Sequence, residues 1–225
     1  MAERIYAKVF FNYERFWHWS QAALILTLIA TGARLHALID WFPWEAAFKV
    51  HLAAALLLFV LWLFTVFWHF ATGEWTQYLP TSRNLIRVLR YYAFGIFANE
   101  AHPSKPTTAL KHNPLQRITY LFLTAAIAPA IWATGAAYLL VNHLPWGLEP
   151  VAKAHTIAAY AMTVFVIVHI YMATTGVTVF SYLRAMVTGY QWVEIDPEKP
   201  ATRPEAEQHR GAIFRDRRLK EQGDG

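Results

Sequence analysis

The stretch Ala154–Leu183, AHTIAAYAMTVFVIVHIYMATTGVTVFSYL, contains no Asp, Glu, Lys or Arg and carries two histidines, His155 and His169, fourteen positions apart (169 − 155 = 14). On a helix, fourteen residues rise about 21 Å and turn through nearly four whole revolutions. Both imidazoles then leave one face, separated by about two thirds of a hydrocarbon core about 30 Å thick. A single intramembrane histidine is as often a hydrogen-bonded packing residue as a ligand, because a neighbouring helix can satisfy the costly polar ring. Two at stacked depths suggest two hemes, provided that other histidines lie at matching depths.

The whole composition sets the class. Of the 225 residues, 56% are hydrophobic and only 16% charged, with 10 Trp, 11 Tyr and 15 Phe. A soluble domain needs a charged exterior that this composition cannot supply, whereas lipid-facing helices need none, so an integral membrane protein is expected. The absence of cysteine excludes disulfides, thiolate metal sites, Cys-ligated iron-sulfur clusters and covalently attached c-type heme, leaving histidine or methionine to hold a redox centre. The net charge of +5 comes from basic residues in loops beside apolar spans, which reads as membrane orientation and not as nucleic-acid binding.

Charge-free apolar segments run over Phe16–Ala33, Val50–Gly73, Ile118–Leu148 and Ala154–Leu183. Each is long enough, or nearly so, to cross a bilayer as a helix. The expected fold is all-α, an integral membrane four-helix bundle. Met1 to Arg15 has mixed charge and no small-residue cleavage site follows, so the first helix is read as retained and not as a signal peptide. The connection between the second and third spans holds Arg83, Arg87, Arg90, Lys105, Lys111 and Arg117 against Glu74 and Glu100, a balance of 6 − 2 = +4. The turns around Arg34, Asp40, Glu45 and Lys49, and around Glu149 and Lys153, each sum to zero. The positive excess puts the long loop and both termini in the cytoplasm and the two short turns outside. Within that loop Arg83, Arg87 and Arg90 recur at helical spacing, with Leu85, Val88, Leu89 and Tyr92 able to face the bilayer, which predicts an amphipathic surface helix; docking of a partner is the other reading.

Histidine depth follows from this topology. His51 lies two residues after Lys49 and His155 two after Lys153, at one outer level. His18 lies three after Arg15, and His169 about 21 Å below His155, at an inner level. The fourth helix can therefore serve two porphyrins, one facing His51 and one facing His18. His69, eighteen residues after His51 (69 − 51 = 18), projects from nearly the same face near the inner boundary. It could replace His18 as ligand, bind a propionate, sit near quinone or be structural, with propionate or structural duty favoured.

The motifs Arg15-Phe16-Trp17-His18-Trp19, His51, Asn113-Pro114-Leu115-Gln116-Arg117 and His155 with His169 resemble those of the membrane-bound cytochrome b subunits of bacterial respiratory complexes. That group includes the formate dehydrogenase gamma subunit, the thiosulfate reductase cytochrome b subunit and the nickel-iron hydrogenase b-type cytochrome. The resemblance covers about Tyr6 to Met186, and the histidine spacing is closest to the formate dehydrogenase and thiosulfate reductase branch. The segment from Tyr78 to His112 is longer than the loops of the formate dehydrogenase branch. The resemblance implies two heme b, the outer held by His51 and His155 and the inner by His18 and His169. It also implies menaquinone or ubiquinone as exchangeable substrate beside the inner heme, with Asn113 and Gln116 as polar contacts and His112 and Arg117 as possible helpers. The plain alternative is that Asn113 only caps the third helix ahead of Pro114.

These expectations combine into a cytochrome b domain over residues 1–193, followed by a charged, partly flexible cytoplasmic tail over 194–225. The expected activity is electron transfer across the bacterial inner membrane, between a quinone near the cytoplasmic face and a periplasmic iron-sulfur or multiheme partner subunit, with oligomerisation inside the complex left open. Thr31-Gly32 and Thr134-Gly135 lie late in outward-running spans, where small residues let a helix or a porphyrin approach. Two other classes compete: a heme-free anchor or small proton-relay transporter, and a cytochrome b that reduces iron or ascorbate without a partner.

Overall fold

The computed structural model describes residues 4–98, 100, 102–104, 111–145, 147–176 and 178–194. The charged tail expected from residue 194 onward lies outside the described residues, apart from its first position. The described chain is mainly helical, as expected for an apolar sequence that must satisfy its own backbone in lipid. The elements are β1 (Arg4–Lys8), α1 (Asn12–Leu35), α2 (Trp44–Thr72), α3 (Leu85–Arg90), α4 (Pro114–Phe122), α5 (Ala128–Leu139), α6 (Leu148–Ala173), α7 (Ser181–Thr188) and β2 (Tyr190–Glu194). A single π turn, Leu123–Ile127, joins α4 to α5 into one helical rod. Among the described residues, three helical rods are both long and apolar enough to cross a membrane: Trp44–Thr72, Pro114–Leu139 and Leu148–Ala173. At 29, 26 and 26 residues each exceeds the roughly 20 that a bilayer core requires. α1 has the length, 24 residues, but His18, Ser20, Gln21, Thr27 and Thr31 dilute its apolar character. The chain is a membrane protein.

The chain divides into two compact units, of which one comprises Phe16–Pro80 and Ile118–Tyr171. Its core is a layer of Ile25, Ile127 and Met162, packed with Ile29, Leu58, Leu123, Ile131, Ala161, Phe165 and Val166. α1, α2, the α4–α5 rod and α6 thus all contribute. Outward-facing side chains are apolar, among them Val60, Phe67, Ile157 and Ile167, a surface that suits hydrocarbon and not water. α2 follows Pro43 and stops at Gly73, which adopts φ 77°, the left-handed cap that glycine takes without steric cost. Ion pairs one turn apart, Glu45–Lys49 and Glu149–Lys153, open α2 and α6.

The other unit comprises the described residues of Met1–Arg15, Thr81–Arg117 and Met172–Gly225. Here a two-stranded antiparallel sheet pairs β1 with β2, Tyr6 opposite Trp192 and Lys8 opposite Tyr190. The Tyr6 ring packs on Tyr190 and Trp192. This sheet is absent from the all-α expectation. Arg15 Nη1 donates to the Thr188 carbonyl at the end of α7, a cationic cap on exposed helix carbonyls. Beside it, the amides of Val9 and Phe10 both donate to the Gly189 carbonyl. Gly189 has φ 89°, and an added Cβ would come within 2.9 Å of both the Phe10 carbonyl oxygen and Arg15 Nη1. Gly189→Ala is therefore expected to destabilise the protein by about 1–3 kcal/mol. Gly73→Ala, where the backbone is left-handed but space is open, should cost only about 1 kcal/mol; thermal unfolding in detergent reads the order.

Two segment boundaries are corrected. The fourth apolar run does not stay helical to Leu183: α6 ends at Ala173 and a separate α7 starts at Ser181. Absence of charge gives no stop signal; beyond α6 the chain packs tightly at Gly176, where a Cβ would meet Ser181 Oγ and the Tyr182 ring. The third rod ends at Leu139, followed by a 3-10 turn over Val141–His143, short of the expected Leu148. The surface helix starts at Leu85, because Asn84 at φ 61° leaves Arg83 outside it, and it continues past Arg90 as a π turn over Tyr91–Gly95. Val88 and Tyr92 do not face outward; both are buried, while Ile86, Leu89, Phe94 and Phe97 are exposed.

Candidate functional site

In the helical unit, the sequence-selected histidines come together as two pairs. His51 on α2 faces His155 on α6 with ring centroids 6.4 Å apart. His18 on α1 faces His169 at the other end of α6, with centroids 6.0 Å apart. Met162 lies seven residues from each α6 histidine, and Ile25 seven residues after His18, so the buried apolar layer separates the two levels. All four rings are half-buried.

The outer pair is oriented by matching hydrogen bonds. Thr31 Oγ1 lies 2.8 Å from His51 Nδ1, and Thr134 Oγ1 lies 2.9 Å from His155 Nδ1. Each threonine hydroxyl spends its proton on the carbonyl one turn back, Thr27 at 2.7 Å and Ala130 at 2.6 Å. The hydroxyl oxygen is left to accept from Nδ1–H. Both imidazoles therefore carry their proton on Nδ1 and keep the Nε2 lone pair. The glycine after each threonine lies against the same ring: a Cβ at Gly32 would be 3.6 Å from His51 Cε1, and one at Gly135 3.5 Å from His155 Cε1.

The inner pair is built differently. His18 Nδ1 is buried without a hydrogen-bond partner, while the His169 ring stacks on Phe165. His69 is not brought to His18 or His169 by any ring contact among the described residues. Its Nδ1 donates to the Thr65 carbonyl in its own helix at 2.7 Å, and its ring packs against Trp17, Trp68 and Tyr78.

Asn113 and Gln116 belong to the other unit. The Asn113 amide donates to Gln116 Oε1 and the Gln116 amide to Asn113 Oδ1, both at 2.9 Å. With Pro114 opening α4, this is a reciprocal capping box. Asn113 Nδ2 also donates to the Tyr92 hydroxyl at 3.2 Å. His102 Nδ1 accepts from the Ser104 amide, so its Nε2 carries the proton and donates to the same hydroxyl at 3.1 Å. Burial, reinforced by nearby Tyr182, holds the Tyr92 phenol well above its ordinary value, so it stays protonated. Sequence reasoning missed Tyr92 as a polar centre, and it noticed Thr31 and Thr134 only as neighbours of glycine. The available signal was the repeat itself, Thr-Gly followed by histidine 19 or 20 residues after the glycine (51 − 32 = 19; 155 − 135 = 20).

Apolar helices that bring imidazoles face to face in two pairs define a membrane protein with candidate ligands for a metal-centred group. The sequence profile of the prokaryotic cytochrome b561 family matches residues 9–189, and the chain belongs to that family. It is a membrane b-type cytochrome of respiratory oxidoreductases, and heme b is its cofactor. Three relatives carry provisional names. Cytochrome YdhU of Escherichia coli (strain K12) is 30% identical over 186 residues, 78% of this chain and 71% of that protein. A Ni/Fe-hydrogenase B-type cytochrome subunit of Rhizobium leguminosarum bv. viciae is 25% identical over 190 residues, 71% of this chain and 77% of that one. A protein-methionine-sulfoxide reductase subunit, YedZ1, of Azospira oryzae is 26% identical over 209 residues, 84% of this chain and 100% of that one. No solved structure matches the chain.

Proposed function

We propose that the chain is a diheme electron-transfer subunit, a four-helix bundle carrying electrons across the bacterial inner membrane between a quinone near the cytoplasmic face and a redox subunit on the periplasmic face. The observation that carries this reading is the pair of facing imidazoles at each end of α6, 6.4 and 6.0 Å apart. Two imidazoles that share one metal coaxially, each nitrogen about 2 Å from it, put their ring centroids about 6 Å apart. His51 and His155 hold the outer heme, and His18 and His169 the inner. When bound, heme b supplies reversible one-electron transfer. With both imidazoles of a pair holding its iron, each heme would pass electrons, and substrate chemistry would belong elsewhere. Ile25, Ile127 and Met162 keep water out of the layer between the two levels.

Asn113 and Gln116 are carried over from the family as quinone contacts, and the Tyr92–His102 pair bonded to Asn113 adds polar groups beside them. Ile86, Leu89, Phe94 and Phe97 with Arg87 and Arg90 supply the face by which the long loop lies on the cytoplasmic leaflet. The relatives named as a hydrogenase subunit and a sulfoxide-reductase subunit favour a multisubunit assembly, whose outer partner carries iron-sulfur clusters or hemes. In proteoliposomes, menaquinol or ubiquinol is expected to reduce the heme, read as b-type absorbance. Asn113→Leu should slow that step by about tenfold while leaving dithionite reduction intact. Heme reduced by dithionite but by neither quinol would remove the quinone half of the proposal.

A further inference from the structure

We infer that Thr31 and Thr134 are positioning residues that set the redox poise of the outer heme, and that they bias electrons from the outer position toward the inner one. The inference rests on the assignment of His51 and His155 as outer ligands. Its own ground is the duplicated hydrogen-bond chain, in which imidazole Nδ1–H meets a threonine hydroxyl whose proton is already given to a helix carbonyl.

The chain has two effects. It fixes the Nδ1–H tautomer and ring angle, so Nε2 is the free ligand atom on both sides. It also makes each imidazole a stronger electron donor, because an oxygen that donates to a carbonyl accepts more strongly in turn. A more electron-rich pair of ligands favours the ferric state. Gly32 and Gly135 lie against Cε1 of the same rings, where an added Cβ would make ordinary van der Waals contact. The inner level lacks the device at His18, whose Nδ1 is buried with no partner. The hydroxyls therefore lower the outer affinity for an electron relative to the inner, the order that suits a quinone-reducing assembly.

The test is an optical redox titration of the purified heme-loaded protein with Thr31→Val, Thr134→Val, the double variant, and the serine variant at each position. Valine matches threonine in shape and removes the oxygen. Each valine should raise the reduced-to-oxidised ratio of the outer heme at fixed potential by about threefold. The double variant should raise it by about tenfold, which for one electron is about 59 mV. The inner heme should stay where it was, and serine, which keeps the oxygen, should restore the wild-type value. A valine variant that retains its outer heme at the wild-type potential overturns the inference, as does serine shifting as far as valine or a shift confined to the inner heme. Should valine release heme altogether, the serine comparison decides. A wild-type protein with no heme at the His51–His155 pair overturns the parent assignment as well, so the two failures are distinguishable.

Discussion

His155→Ala is expected to halve the reduced b-type absorbance per chain, and His51→Ala to do the same, because each would remove one of the two imidazoles proposed to hold the outer heme. His18→Ala and His169→Ala should remove the other half. Losing an imidazole that contributes several kcal/mol of binding leaves an open coordination position in a bundle with no cysteine to replace it. The informative comparison is His69→Ala. With its Nδ1 bonded to its own helix and its ring boxed by Trp17, Trp68 and Tyr78, it should keep both hemes and lose only stability. Loss of half the absorbance in His69→Ala but not in His18→Ala would move the inner ligand from α1 to α2.

The second large effect concerns the buried ion pair between Glu14 and Lys111, whose side chains are only 5% and 3% exposed. Glu14 Oε2 also accepts from the Phe11 amide at 2.6 Å, and Lys111 Nζ sits 5.1 Å from the centre of the Phe11 ring. The carboxylate thus closes the first turn of α1 while holding the residue two positions before the Asn113 cap. Glu14→Gln or Lys111→Met takes the opposite charge away from a buried ion and is expected to cost about 3–5 kcal/mol. The double variant Glu14→Leu, Lys111→Met should recover most of that loss, since an apolar pair of similar volume often replaces a buried ion pair without penalty. Chemical denaturation in detergent measures both. Single variants as stable as wild type would show that the pair does not close the fold.

Histidine pairing was legible from sequence because it depends on two quantities a chain carries openly: the helix rise between His155 and His169, and the distance of each histidine from the nearest flanking charge. Counting from Arg15, Lys49 and Lys153 placed His18, His51 and His155 at levels that the folded chain brings face to face. Helix ends inside apolar runs were not legible, since α6 stops at Ala173 with no charge or proline to announce it. The β1–β2 pairing was hidden for a different reason. Its register joins Tyr6 to Trp192 across nearly the whole chain, and two five-residue strands carry little local signal against a strongly helical background. Arginine spacing in the long loop suggested a helix but not which face is inward. Val88 and Tyr92 are drawn into the unit by packing and by the hydroxyl's bonds to Asn113 and His102, which periodicity alone does not contain. The threonines at 31 and 134 stood out only as neighbours of glycine, because a hydroxyl in an apolar helix ordinarily bonds its own backbone, as both do, and the fold adds that each also meets a ring.

The account depends on two imidazole pairs each gripping a heme iron, and heme stoichiometry of the purified wild-type chain tests this most directly. A pyridine hemochrome assay against quantitative protein determination should return two heme b per chain. A ratio of one, or a colourless protein after reconstitution with heme, would contradict it.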